Sequence, residues 1–292
     1  MKVIEALIKD APALSFEFFP PKTPEQEKNL FDVIGKLKAF NPDFVSITYG
    51  AMGTTKDKTI HYAHKIKKEY ALAPLMHLTC VAADRHAMEE LLSAVAAEGI
   101  ENILALRGDP PDGEKDFTPP KDGFKYARDL VSFIKKKYPA MCVGVAGFPE
   151  GHPSTRDIEK DILYLKEKVD AGADFVITQL FFDNLFFIKF VEKCRKAGIS
   201  VPIIPGLMPI TSLKQINKMI GICGATIPKE LSAELDKYKD DAEAIKKIGE
   251  AHTVKQAKEL LSAGVSGIHY FVMNQSDPIS QILSTLNLRE QG

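Results

Sequence analysis

The sequence has few of the features that mark specialised classes of protein. Its four cysteines show no C-x-x-C spacing: Cys80, Cys142, Cys194 and Cys223. This scatter indicates a reduced, cytoplasmic protein and gives no sign of a zinc or iron–sulfur site, so we expect no metal. The 38 basic and 39 acidic side chains give a formal net charge of -1. That balance argues against nucleic acid as a partner.

Long apolar runs and nucleotide-binding glycine motifs are also missing. The N-terminus, "MKVIEALIKDAPA", contains no long apolar run, so we predict neither a signal peptide nor a membrane span. Neither a G-x-G-x-x-G pattern nor a P-loop pattern occurs. Their absence weakens the case for an open nucleotide-binding sheet.

The sequence does contain eight short runs rich in β-branched and aromatic residues, at fairly even intervals. Near-continuous apolar strands of this length are typical of a parallel sheet that is covered on both faces. The predicted strands are 14–19, 44–50, 75–81, 102–108, 142–148, 175–182, 201–207 and 267–273.

Amphipathic segments with helix signals lie between the strands. The first begins with Thr23 as N-cap and Pro24 at the first helical position. The others are near 57–70, 85–98, 122–137, 154–172, 184–197, 211–223 and 241–263, with an additional helix near 228–239. Strand and helix alternating eight times in 292 residues predict an α/β fold, a (β/α)₈ TIM barrel with a short extra helix in the seventh βα connection. We expect one domain over 1–292.

Polar or special-backbone residues stand where nearly every predicted strand ends. The active site of such a barrel lies at the carboxyl ends of the strands. Strand-end capping explains any single one of these residues, whereas a shared cavity explains all of them together. They include Glu17, Thr48, Tyr49, His77, Arg107, Gly108, Asp109, Glu150, His152, Gln179 and Gln275.

The stretch "LSFEFFPP" (14–21) places one carboxylate among three phenylalanines. Alternation along a strand directs Phe16 and Phe18 outward to the helices and Glu17 inward, near the barrel mouth. We expect apolar neighbours to raise the pKa of Glu17, which prepares a carboxyl group to act as a general acid. The alternative is a surface strand in which Glu17 faces water.

Seven motifs in order resemble methylenetetrahydrofolate reductase of the bacterial type. They are "SFEFFPPKT", "FVSITYGA", "HLTC", "ILALRGDPP", "GFPEGHP", "KVDAGADFVITQLFFD" and "IIPGLMPI", and the resemblance extends from about residue 14 to about 275. It implies an FAD-bound barrel that reduces 5,10-methylenetetrahydrofolate to 5-methyltetrahydrofolate, with NADH or NADPH as electron donor. The family also implies a homo-oligomer.

The resemblance assigns roles to individual residues. Glu17 matches the catalytic glutamate that protonates N10 of the folate, so that hydride from N5 of the reduced flavin can reach the resulting iminium. Asp109 matches the aspartate near flavin and pterin, and Gln179 a glutamine that contacts folate or nicotinamide. The flavin-contacting positions it matches are Thr48, Tyr49, Ala51, His77, Arg107, Gly108, Tyr126, Ala127, Phe148, His152, Asp161 and Lys168.

Several positions depart from the family pattern. Phe148 stands where some members have a tyrosine, Leu213 where some have a phenylalanine, and Gln275 where an arginine often meets the folate's glutamate tail. Tyr164 and Glu167 stand where family members have an amide and a basic residue, on the predicted helix beside the flavin. These changes affect residues that would contact the electron donor and the glutamate tail of the folate, and they do not affect Glu17.

Two other functions fit part of the pattern. A flavin- or folate-binding barrel could serve as one subunit of an electron-transfer complex and receive electrons from a partner protein. A (β/α)₈ lyase or aldolase would need a Schiff-base lysine within a strand or a metal-ligand cluster, and the sequence offers neither.

Overall fold

The computed structural model describes residues 1–48, 56–81, 83–108, 118–155 and 157–287. Eight parallel strands form a closed barrel in which each strand pairs with the next in the chain and β8 pairs with β1. The predicted (β/α)₈ fold is therefore confirmed. The strands are β1 (Ala13–Phe18), β2 (Phe44–Ile47), β3 (Ala73–Thr79), β4 (Asn102–Leu106), β5 (Cys142–Gly147), β6 (Phe175–Leu180), β7 (Ile203–Leu207) and β8 (Gly267–Phe271).

Helices alternate with the strands, and most of them cover the outside of the barrel. They are α1 (Val3–Leu7), α2 (Pro24–Lys38), α3 (Lys56–Tyr70), α4 (Arg85–Ala97), α5 (Ala127–Lys137), α6 (Ile158–Asp170), α7 (Asn184–Lys196), α8 (Leu213–Cys223), α9 (Lys229–Lys237), α10 (Ala242–Ser262) and α11 (Asp277–Leu286). The predicted N-cap of α2 is present, because Thr23 accepts a hydrogen bond from the Gln26 amide at 3.3 Å.

The outward side chains of the strands pack against the helices. Phe16 and Phe18 are fully buried, as alternation predicts, and belong to the same apolar core as Leu30 and Ile34 of α2. Burying a large apolar side chain contributes about 1.5–3 kcal/mol to folding. This core between sheet and helices therefore holds the barrel closed.

The inward side chains near the strand N-termini form a second apolar cluster, here called the lower lumen. It consists of Ala13, Phe44, Leu75, Leu104, Cys142, Phe175, Ile177 and Ile204. Helix α1, which the sequence did not predict, packs Val3, Ala6 and Leu7 onto this cluster. The amide of Val3 donates to Asn102 Oδ1 at 2.7 Å, so the first helix closes this end of the barrel.

A third apolar cluster lies beside the carboxyl ends of β6, β7 and β8. The extra helix predicted in the seventh connection is α9, and its Leu231 and Leu235 pack against Phe182, Met208 and Ile210. The chain between α8 and α9 also reaches the loop after β5, where the Thr226 amide donates to Glu150 at 3.0 Å. The seventh connection therefore forms one wall of the barrel mouth.

Candidate active site

Glu17 points into the barrel from β1, as alternation predicts, and only 8% of it is exposed. Its Oε2 accepts a hydrogen bond from Ser46 Oγ at 3.3 Å and lies 3.3 Å from His269 Nε2. Nε2 of His77 lies 3.3 Å from the same oxygen, without the alignment of a hydrogen bond. Strands β1, β2, β3 and β8 thus converge on one carboxyl oxygen, and the water-facing alternative for Glu17 is wrong.

The electrostatic surroundings of Glu17 differ from the sequence-based expectation. Burial raises the pKa of Glu17, but the nearby His77 and His269 outweigh that effect, so the pKa lies below its usual value. The expected apolar neighbours are replaced at the carboxyl group by two imidazoles and a hydroxyl. The expectation of a raised pKa is therefore wrong, because sequence alternation does not reveal which polar side chains arrive from other strands.

His269, together with Ser15 and Ser46, is a site residue that the sequence reasoning missed. It is fully buried on β8, and its Nδ1 lies 2.8 Å from Ser15 Oγ on β1. Ser15 and His269 are paired in the register between β1 and β8. The motif "GIHYFVM" predicts a strand, and only closure of the barrel brings its histidine to Glu17. We call Ser15, Glu17, Ser46, His77 and His269 the upper lumen.

The carboxyl ends of β2 and β4 carry further predicted cofactor residues. Thr48 follows β2 directly, and its amide donates to Phe18 O at 2.9 Å. Arg107 and Gly108 follow β4, and Gly108 has a φ of +85°. A Cβ on Gly108 would collide with the side chains of Val81 and Thr79, so this turn requires glycine. The predicted residues Tyr49, Ala51 and Asp109 lie outside the described residues.

Four of the predicted cofactor residues come together between β5 and α6. The rings of Phe148 and His152 meet edge to face, with centroids 4.7 Å apart. The carboxylate of Asp161 accepts hydrogen bonds from the His152 amide and from Thr155 Oγ1. Lys168 donates to Ala146 O at 2.6 Å. Burial lowers the pKa of Lys168 to about 8, although Asp161 opposes the shift.

Tyr126 and Ala127 lie at the beginning of α5, beside this cluster. The side chain of Tyr126 is 42% exposed and lies 5.0 Å from the guanidinium of Arg128. Arg128 in turn pairs with Glu167 of α6. The departure at Glu167 therefore has a local explanation, because its carboxylate joins α6 to α5.

The three predicted substrate residues lie on separate elements. Gln179 is on β6, and its side-chain oxygen accepts from the Leu180 amide at 2.8 Å. Leu213 begins α8 and packs against the third apolar cluster. Gln275 is exposed after β8 and lines a groove of about 1100 Å³ that Asn29, Lys36 and Lys246 also line. The structure brings together the residues around Glu17, and it brings together the cluster between β5 and α6. Gln179, Leu213 and Gln275, in contrast, lie on separate elements.

Two properties of the described residues bear on other kinds of function. Among them, no group of three or more His, Cys, Asp or Glu side chains is arranged to hold a metal ion. No helix in the same part of the chain is long and apolar enough to cross a membrane.

Solved structures support the barrel assignment. A Clostridium thermocellum protein that binds two copies of 5-methyl-5,6,7,8-tetrahydrofolic acid matches with a TM-score of 0.63 and 17% sequence identity. The match covers 97% of this chain and 96% of that one. A 2,3-dimethylmalate lyase matches with a TM-score of 0.51 and 12% identity, over 89% of this chain and 97% of the lyase chain. At such identities the likeness concerns the fold alone.

Sequence comparisons are more specific. The chain is 37% identical over 276 residues to the 5,10-methylenetetrahydrofolate reductase of Salmonella typhimurium, covering 94% of this chain and 91% of that protein. It is 40% identical over 306 residues to methylenetetrahydrofolate reductase (NADH) 1 of Zea mays, covering all of this chain and 52% of that protein. The chain spans about half the length of the plant relatives it matches. The model of the methylenetetrahydrofolate reductase family matches residues 2–287. The chain belongs to the methylenetetrahydrofolate reductase family.

Proposed function

We propose that this chain reduces 5,10-methylenetetrahydrofolate to 5-methyltetrahydrofolate, with FAD as the bound cofactor. The observation that carries the proposal is the buried Glu17 carboxyl group, held at the mouth end of the lumen by Ser46, His77 and His269. Family membership and relatives that bear the name of this reductase support it.

Glu17 is proposed to pass the proton to the folate, and because its pKa lies below the usual value, this is a proton that it shares with a neighbouring side chain. Reduction requires the five-membered ring of the folate to open, and protonation of N10 makes that nitrogen a leaving group. The lone pair on N5 then forms the double bond of the iminium. A proton source that is shielded from bulk water suits this step, because water would compete for the iminium carbon. Glu17 is 8% exposed, which provides such shielding.

The cluster between β5 and α6 fits a flavin dinucleotide in its chemistry. Lys168 is a part-buried cation whose pKa is lowered to about 8 by burial, so a bound phosphate would relieve an existing cost. Phe148 and Tyr126 supply aromatic surfaces, and Arg107 supplies a second cation at the end of β4. When bound, FAD supplies the hydride. The other proposed cofactor contacts are Thr48, Tyr49, Ala51, His77, Gly108, Asp109, Ala127, His152 and Asp161.

NADH is the proposed electron donor. The plant relatives, at 40% identity, are named as NADH-dependent enzymes.

The proposed substrate contacts are Asp109, Gln179, Leu213 and Gln275. The amide of Gln275 cannot form the ion pair with a carboxylate that an arginine would form, so the folate tail is held more weakly at that point.

An anaerobic titration tests the proposal. We expect the purified protein, loaded with FAD, to lose its flavin absorbance on addition of NADH and to regain it on addition of methylenetetrahydrofolate, with 5-methyltetrahydrofolate as product. The variant Lys168→Met removes the cation that is proposed to meet a phosphate of FAD, and it should therefore weaken FAD binding. If dithionite or a partner protein reduces the flavin but NADH does not, the subunit of an electron-transfer complex is the better assignment. A protein that binds no flavin contradicts both.

A further inference from the structure

We propose that His269 is a positioning residue for Glu17, and that the proton that Glu17 delivers is held between Glu17 Oε2 and His269 Nε2. The inference rests on the proposed reductase function for the fate of that proton. The proposed location of the proton in the resting protein is argued from the contacts of Ser15, Glu17 and His269 and can be tested without folate.

The direction of the hydrogen bond between Ser15 and His269 decides which tautomer the imidazole adopts. Ser15 Oγ lies 3.3 Å from Ile268 O and 2.8 Å from His269 Nδ1. A serine hydroxyl has one proton, and a carbonyl oxygen can only accept. With that proton directed to Ile268, the hydroxyl oxygen accepts from Nδ1–H. In the proposed arrangement, Ser15 therefore holds a proton on Nδ1 of His269.

This tautomer has a consequence on the other side of the ring. A neutral imidazole protonated at Nδ1 has a bare lone pair at Nε2. Nε2 lies 3.3 Å from Glu17 Oε2, and two lone pairs at that distance in a buried site repel each other. One proton between them turns the repulsion into a hydrogen bond. The pair is then a neutral carboxylic acid with an imidazole, or a carboxylate with an imidazolium.

The surrounding side chains fix the orientation of His269. Its ring stacks on Phe44 with centroids 6.0 Å apart and planes 12° apart, and Phe271 meets its edge at 5.5 Å. His269 is fully buried. A ring flip would exchange Nδ1 and Nε2, and this packing opposes it. His269 thus presents the same nitrogen to Glu17 throughout the reaction.

The remaining groups that face Glu17 play other parts. Ser46 donates to Oε2 from β2 and lies 3.5 Å from His269 Nε2. His77 faces the same oxygen from β3 without hydrogen-bond alignment. Both histidines lower the pKa of Glu17, and His269 is the one whose Nε2 is aligned to exchange a proton with it along a hydrogen bond.

The transfer step balances without any further reactant. The shared proton moves onto folate N10 through Glu17 Oε2, and the bond from N10 to the methylene carbon breaks with its electron pair staying on nitrogen. Glu17 is left as a carboxylate and His269 as a neutral imidazole with its proton on Nδ1. Solvent restores the shared proton after product release.

Nuclear magnetic resonance of the protein with ¹⁵N-labelled histidine tests the proton's location without folate or cofactor. Comparison with His269→Gln assigns the His269 signals. We expect Nδ1 to be protonated in the wild type and in Glu17→Gln, and Nε2 to gain its proton only when the Glu17 carboxyl is present. A bare Nδ1 in the wild type overturns the proposal, because Nε2 would then hold its own proton permanently.

Two serine variants form a matched pair. Ser15 and Ser46 are both fully buried. Ser15→Ala should lose the fixed Nδ1 tautomer, whereas Ser46→Ala, which removes a hydroxyl next to Glu17 but not next to Nδ1, should keep it. Unchanged Nδ1 signals in Ser15→Ala contradict the role given to Ser15.

Kinetics then test the link to the reaction. Ser15→Ala should shift the pH profile of kcat for folate reduction with little change in KM, and His269→Gln should lower kcat by roughly 10²-fold. Reduction of the flavin by NADH should continue in both. If the wild type reduces no folate, the proposed function fails while the resonance experiment still decides where the proton lies. Normal kcat and an unshifted pH profile in both variants overturn the positioning role.

Discussion

The two halves of the barrel lumen are built from opposite chemistry. The lower lumen contains Phe44, Leu75, Leu104, Phe175 and Ile204, packed against the apolar face of α1. The upper lumen, one residue layer further along the strands, contains two serines, two histidines and Glu17. Both halves are buried, so exposure to water does not explain the difference.

The comparison separates side chains that stabilise the fold from side chains that serve chemistry. Apolar groups in the lower lumen gain free energy on burial. Polar groups in the upper lumen lose hydration and recover it only by pairing with one another. A barrel could fill both halves with apolar residues, as the lower half shows. The polar layer at the mouth therefore indicates a site.

The largest expected change in stability is in the lower lumen. Phe175→Ala should lower the free energy of unfolding by roughly 3–5 kcal/mol, because it leaves a cavity in a packed layer. Urea denaturation measures it. A Cβ at Gly144 would overlap the Phe175 ring, so the double variant Phe175→Ala, Gly144→Ala should recover part of the loss. Additive losses would contradict the proposed fit between these two residues.

A smaller effect is expected where the lower lumen is closed by α1. Asn102 accepts from the Val3 amide at 2.7 Å and donates to Pro74 O at 3.2 Å. Asn102→Ala leaves these buried groups unpaired and should cost about 1–3 kcal/mol by thermal or urea unfolding. Activity per folded molecule should not change. A loss of folate reduction without a loss of stability would show that the two halves are not separate in function.

The contribution of the upper lumen to the free energy of unfolding should depend on pH. The pKa of Glu17 lies below its usual 4.5 in the folded protein. Its stabilising contribution is therefore present above pH 4.5 and is lost as the pH falls towards the folded-state pKa. Unfolding free energies of wild type and Glu17→Gln should differ at pH 6–7 and converge in acid. The exposed Glu234→Gln serves as control, and a constant difference across pH would contradict the pairing.

The smallest effect is expected outside the lumen, on the same strand as His269. The buried hydroxyl of Tyr270 has no hydrogen-bond partner among the described residues. Tyr270→Phe should therefore leave stability within about 0.5 kcal/mol of the wild type or raise it slightly. A loss above 1 kcal/mol in urea denaturation would show that this hydroxyl has a partner in the folded protein.

The sequence predicted the parts of the fold that depend on local pattern. Alternation in "LSFEFF" gave the correct directions for Phe16, Glu17 and Phe18, and the extra helix in the seventh connection is α9. Helix α1 was missed because five residues carry too little helical periodicity. Helix α11, from Asp277 to Leu286, lies in a segment for which the sequence suggested no structure.

The electrostatics of the site could not be predicted in the same way. His269 is 252 residues from Glu17 in the chain, and only the pairing of β8 with β1 brings them together. Three phenylalanines adjacent in sequence suggested an apolar environment, yet two of them point away from the lumen. The sign of the pKa shift at Glu17 depends on neighbours that alternation along one strand cannot identify.

A single-turnover experiment tests the central claim, that Glu17 and its upper-lumen partners provide the proton for folate reduction. FAD-loaded wild type and Glu17→Gln are reduced anaerobically and mixed with methylenetetrahydrofolate, and flavin absorbance and 5-methyltetrahydrofolate are followed. We predict that the wild type regains its flavin absorbance with one equivalent of product, while the variant stays reduced or reacts slower by roughly 10²–10⁴-fold. Equal rates in the two proteins would contradict the account.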